Sequence, residues 1–121
     1  MGGLEGKLRK PYEFDAVLQE GRRAAGGSFV AYVRLRGDGG LPRVGYSVSR
    51  RFGGAVERNR AKRRARAAWA RVGGMVLAGV DVVLVPRRRI LSSRFEDLCG
   101  DLAAVLRRAG ALRDEPTVRG G

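Results

Sequence analysis

The sequence predicts a single-domain α+β fold, a two-layer sandwich of helices on a sheet, and three observations carry that prediction. Residues Phe29 to Leu35 alternate in side-chain character, the period of a strand. Val80 to Val85 is a nearly continuous apolar run, the pattern of a strand buried on both faces. Two further segments, 55–72 and 95–109, repeat their apolar residues at spacings of three, four and seven, which is helical. The order of elements is helix, strand, strand, helix, strand, helix.

The first helix is Pro11 to Glu20, with Pro11 in its first turn, Glu13 and Asp15 near the positive end of the dipole, and Gly21 as the stop. Phe14, Val17 and Leu18 form its apolar stripe. In the first strand, Phe29, Ala31, Val33 and Leu35 share one face and Val30, Tyr32 and Arg34 the other, so it is expected to be half exposed. Gly37 to Pro42 form a turn, and Arg43 to Ser49 the second strand, with Val44, Tyr46 and Val48 inward and Arg43, Gly45, Ser47 and Ser49 outward. Proximity in sequence makes an antiparallel hairpin the economical pairing of these two strands. Gly53 and Gly54 separate them from a basic helix whose inner stripe is Ala61, Ala65, Ala68, Trp69 and Val72, so Trp69 reads as core. Gly73 and Gly74 close that helix, and Pro86 ends the buried strand. The last helix is expected to start at a capping box of Ser93 and Glu96, with Phe95, Leu98, Leu102, Val105, Leu106 and Ala109 on its core side. The domain is placed at 8–112, with 1–7 and 113–121 as flexible tails lacking periodicity.

The charge is concentrated. The chain carries 25 Lys and Arg against 12 Asp and Glu, a formal charge of +13 on 121 residues. All of these cations except Lys7, Lys10 and Lys62 are arginine, whose planar fork grips phosphate bidentately. Arg50, Arg51, Arg58, Arg60, Lys62, Arg63, Arg64, Arg66 and Arg71 face only one acid, Glu57, in the same stretch. Cations held on one helical face create a potential matched to a regular polyanion, so a nucleic acid is the leading partner. With no His and a single Cys, the chain has no disulfide, no Cys/His zinc site and no imidazole base. Cys99 falls in an apolar helical pattern and reads as a buried structural thiol. No segment approaches the roughly 20 apolar residues that span a bilayer, and residues 1–10 have no signal-like apolar run, so a cytoplasmic protein without a membrane partner is expected.

On the basic helix, Asn59 between Arg58 and Arg60 offers a neutral donor and acceptor that sets register where a further cation cannot. Ser47 and Ser49 lie beside Arg43 on a polar strand face, within reach of phosphates or simply of solvent. Arg87, Arg88 and Arg89 either extend the basic surface or form an idle loop. A self-sufficient nuclease needs acids grouped for metal, whereas Glu57 and Asp81 stand singly. A DNA-binding regulator is disfavoured because no helix-turn-helix pairing precedes the basic helix. A ribosomal-type or general binder of structured RNA remains the alternative.

The run Val44-Gly45-Tyr46-Ser47-Val48-Ser49-Arg50-Arg51-Phe52-Gly53-Gly54-Ala55-Val56-Glu57-Arg58-Asn59-Arg60-Ala61-Lys62-Arg63-Arg64-Ala65-Arg66 closely resembles the signature of the bacterial ribonuclease P protein component. The resemblance extends from about Leu8 to Ala109, taking in the Phe-containing first helix and the strand Phe29-Val30-Ala31-Tyr32. It implies a subunit of ribonuclease P that binds a catalytic RNA and the 5′ leader of precursor tRNA. The RNA, with magnesium, then performs the endonucleolytic cut, and the protein binds no cofactor of its own. It also implies that Arg50, Arg51, Arg58, Asn59, Arg60, Lys62, Arg63, Arg64 and Arg66 face the ribozyme. Phe14, Leu18, Tyr32, Arg34, Ser47 and Ser49 would then meet the leader, Leu18 standing where a second aromatic is common in the family. The βαβ crossover through the basic helix is left-handed in the family, against the general rule.

Overall fold

The computed structural model describes residues 6–113. Its elements are β1 (Gly6–Lys7), α1 (Pro11–Glu20), β2 (Arg22–Ala25), β3 (Phe29–Leu35), β4 (Arg43–Tyr46), α2 (Ala55–Val72), β5 (Val80–Pro86) and α3 (Phe95–Arg108). The α+β class holds, with five strands in one sheet, ordered β1-β4-β5-β3-β2.

That order corrects the expected hairpin. β5 lies between β3 and β4, antiparallel to the first and parallel to the second. As the most apolar strand it takes the centre, where both faces can be covered, and so it separates two strands that are close in sequence. The β4-α2-β5 connection is thus the expected βαβ unit through the basic helix. Antiparallel pairing of β3 goes instead to β2, a four-residue strand, Arg-Arg-Ala-Ala, with too little apolar alternation to show in sequence. β1 pairs in parallel with β4, so Gly6 and Lys7 are sheet and not tail. At the other end, Arg113 donates from its backbone to Met75 O and from its side chain to Gly74 O, at 3.1 and 2.8 Å, so it too is tied down. Residues 1–5 and 114–121 of the expected tails lie outside the described residues.

The sheet register sorts side chains between its faces. Phe29, Ala31 and Val33 of β3, Val44 of β4, and Val82 and Leu84 of β5 meet α2 and α3 in the main core. Three alanines of α2, Ala61, Ala65 and Ala68, are fully buried, and their small side chains let the basic helix lie close against that core. On the opposite face Val83 packs with Leu8 and Val17, flanked by Phe14, Tyr32 and Val85. The helices therefore cover both faces, α2 and α3 one of them and α1 part of the other.

Two local expectations need correction. β3 is buried on both faces over most of its length, with Tyr32 packed against the cluster that α1 contributes to, whereas Leu35 at its end is 70% exposed. The α3 capping box does not form: Arg94 is the N-cap, Ser93 Oγ donates to Arg89 O at 2.8 Å, and Glu96 turns to Arg71. A preceding helical turn at Arg88–Leu91 supplies a nearer carbonyl for the serine. Gly45 is required for close approach, since a Cβ there would lie 2.5 Å from Phe14 Cζ.

Candidate nucleic-acid interface

The basic helix is entered through one 3-10 turn, Arg50–Phe52, which buries Phe52 and leaves Arg50 and Arg51 exposed. At Gly53 a Cβ would displace the Glu57 carboxylate from its present position. Glu57 is the acid of the helix, and it is spoken for by Arg88 at 2.9 Å. Arg88 also donates to Phe52 O at 2.8 Å and lies over the Phe52 ring. Its guanidinium holds the Glu57 carboxyl below the usual carboxylate range. Arg88 is thus a clasp across the helix entrance, while Arg87 and Arg89 are exposed and make no side-chain bond among the described residues.

The cations of α2 divide into two groups. Arg58, Arg60 and Arg64 donate to carbonyls of the protein: Gly53 at 3.1 Å, Leu91 at 3.1 Å, and Ser93. Arg64 is half-buried, with its Nε enclosed and unpaired. Arg66 stacks over the Tyr46 ring at 5.7 Å. By contrast, Asn59, Lys62 and Arg63 have no partner among the described residues, and neither have Arg50 and Arg51. Asn59, Arg63 and Arg66 stand at spacings of four and three, an outward ridge with no acid between them. All nine residues expected to face the ribozyme therefore share one helix and its entrance, and five of them present groups unused by the protein.

The other expected site falls on the α1 face of the sheet. Phe14 covers Gly45 from α1, and Tyr32 is half-buried beside Val83 and Val85. Leu18 is 37% exposed at the edge of the same patch. Ser47 extends the β4 register, its N–H donating to Leu84 O at 2.9 Å, whereas Ser49 is exposed beyond the strand. The two expected RNA surfaces thus lie on opposite faces of the sheet.

Arg34 is more constrained than its sequence position implied. It binds Glu20 at 2.8 Å and reaches Asp81 at 3.7 Å, and Asp81 is the hub of a cluster that sequence reasoning missed. Arg36 and Arg43 contact Asp81 Oδ1 at 2.7 and 2.8 Å, and Arg43 also reaches Oδ2 at 2.8 Å. Glu13 binds Arg43 at 3.2 Å, so α1 is latched to the sheet through the cluster. Burial pushes the Asp81 carboxyl up, and the hydrogen bonds and charges of Arg43 and Arg36 more than offset it, leaving it below its ordinary value. One charge inside an apolar strand run was the available signal, since a buried carboxylate needs partners. Among the described residues, no three His, Cys, Asp or Glu side chains group as a metal site, and no helix is long and apolar enough to cross a membrane.

A five-stranded α+β domain with an acid-poor cation ridge on one helix and half-buried aromatics on the opposite sheet face defines an RNA-binding protein. The ribonuclease P family model matches residues 5–110. The chain is 35% identical over 114 residues to the ribonuclease P protein component of Brevibacillus brevis, covering 94% of this chain and 90% of that one. The Staphylococcus aureus RNase P protein superposes with a TM-score of 0.75 at 26% identity, over 88% of this chain and 97% of that one. The Thermotoga maritima RNase P protein does so at 0.73 and 30%, over 84% and 96%. The chain belongs to the bacterial ribonuclease P protein family.

Proposed function

We propose that this chain assembles with a catalytic RNA through α2 and its entrance, and holds the 5′ leader of precursor tRNA against the α1 face. The observation that carries this reading is the ridge of Asn59, Arg63 and Arg66, polar and cationic groups not spent on acids of the fold, within the motif that marks the family. In this reading the RNA performs the hydrolysis and carries the magnesium. The protein's cations stand in for part of the ion atmosphere that the RNA otherwise requires. A compartment shared with nascent tRNA, the cytoplasm, follows from the same reading, and neither DNA nor membrane is expected as a partner.

The test is reconstitution. Protein freed of RNA is expected to leave precursor tRNA intact, and to restore cleavage when added to ribonuclease P RNA at low magnesium. Cleavage by the RNA-free protein, or no restoration, would overturn the proposal.

A further inference from the structure

A cavity of about 580 Å³ opens on the α2 side of the sheet, away from the α1 face, at the β4 edge. Its size is within the roughly 300 to 1,000 Å³ of small-molecule sites. Val44, Tyr46 and Trp69 supply apolar and aromatic wall, and Lys7, Arg66 and Arg113 supply positive charge, with no acid in the lining. Lys7 has no partner among the described residues. Arg66 lies over the Tyr46 ring, so its N–H groups remain available at the mouth. Trp69 is only 2% exposed, yet its indole N–H has no hydrogen-bond partner among the described residues. That nitrogen would lie 2.7 Å from a Cβ at Gly73, itself a wall residue, so only glycine there keeps the indole in place. An aromatic wall, an indole N–H free to donate and three cations without an acid match one chemistry, a planar base carrying a phosphate.

We propose that this cavity binds a single unstacked nucleotide, its base against Tyr46 and Trp69 and its phosphate between Lys7 and Arg66. The source is either a nucleotide splayed from the partner RNA, which rests on the function proposed above, or a free nucleotide. The site adjoins the α2 ridge, so an RNA lying along Arg63 and Arg66 passes its mouth.

Trp69 is the single tryptophan, so its emission reports the cavity directly. Adenosine 5′-monophosphate added to the full chain is expected to change that emission saturably, with adenosine and inorganic phosphate each binding at least ten-fold more weakly. Ala70→Leu, at an exposed helical position on the cavity wall, is expected to weaken the response ten-fold or more. If that variant loses its fold by circular dichroism, Gly74→Leu blocks from a second lining position, where a Cβ meets nothing within 4 Å. No saturable change with the monophosphate, equal binding of phosphate alone, or an undiminished response in the folded blocking variant overturns the site. Ten-fold weaker assembly of the blocking variant with ribonuclease P RNA assigns the nucleotide to the RNA, and unchanged assembly with lost monophosphate binding assigns it to a free nucleotide. If the unmodified protein fails to support cleavage while the monophosphate still saturates, the function reading fails and the site stands.

Discussion

Asp81 shows how one side chain can set both stability and site geometry. Its side chain is 2% exposed and is held by Arg36 and Arg43. Without Asp81 the three arginines Arg34, Arg36 and Arg43 keep Glu20, Asp38 and Glu13 as partners but lose their shared buried acceptor, so Asp81→Ala is expected to cost about 1 to 3 kcal/mol, read as a fall in urea midpoint. Glu13, Asp38, Glu57 and Asp81 all have carboxyls held below their ordinary values. A carboxyl with a depressed folded value contributes stability above its unfolded value and loses it as pH falls through the folded one. Urea midpoints should therefore change little from pH 7 to about 5 and drop below about pH 4, and Asp81→Ala should flatten that drop. Tyr32 makes a different kind of prediction, because its half-buried ring is expected to stack an unpaired leader base. Tyr32→Ala should weaken binding of long-leader precursor tRNA to the assembled holoenzyme by about 1 to 3 kcal/mol, and leave short-leader substrate nearly unchanged. Equal losses on both substrates would remove the leader from this face.

The basic helix is one element with two jobs, and its arginines can be told apart by their partners. Arg63 is exposed and unpaired among the described residues, so Arg63→Ala should reduce the slope of log affinity for the RNA against log salt by about one. Its stability should stay within about 0.5 kcal/mol of the parent. Arg64 ties α2 to the carbonyl of Ser93 ahead of α3. Arg64→Ala should therefore cost about 1 to 3 kcal/mol in unfolding, with a smaller change in salt slope than Arg63→Ala. Thermal unfolding and salt-dependent binding of the two variants, measured side by side, check the division. The inner face of the same helix was legible in sequence because a stripe of Ala, Trp and Val has one period and one destination. The partners of its outer cations were not, since Leu91 and Ser93 reach them only after β5 has been laid down.

For the molecule as a whole, the two expected RNA surfaces fall on opposite faces of the sheet, which would leave each open to a different RNA. The reconstitution described above, repeated with Tyr32→Ala and with Arg63→Ala, tests the two faces separately, each variant being expected to lower restored cleavage at low magnesium. The sequence by itself determined the helices, the buried β5 run, the charge asymmetry and the motif from Val44 to Arg66. These rest on local periodicity and composition, which a chain carries wherever it folds. Tertiary structure alone decided that β5 separates β3 from β4, that Gly6–Lys7 and Arg22–Ala25 become strands, and that Asp81 gathers Arg34, Arg36 and Arg43. Edge strands this short have no period of their own to read, and a buried carboxylate finds its partners across strands far apart in sequence. Both are consequences of pairing in space, where the most apolar strand claims the centre and the remaining groups are satisfied by what it brings beside them.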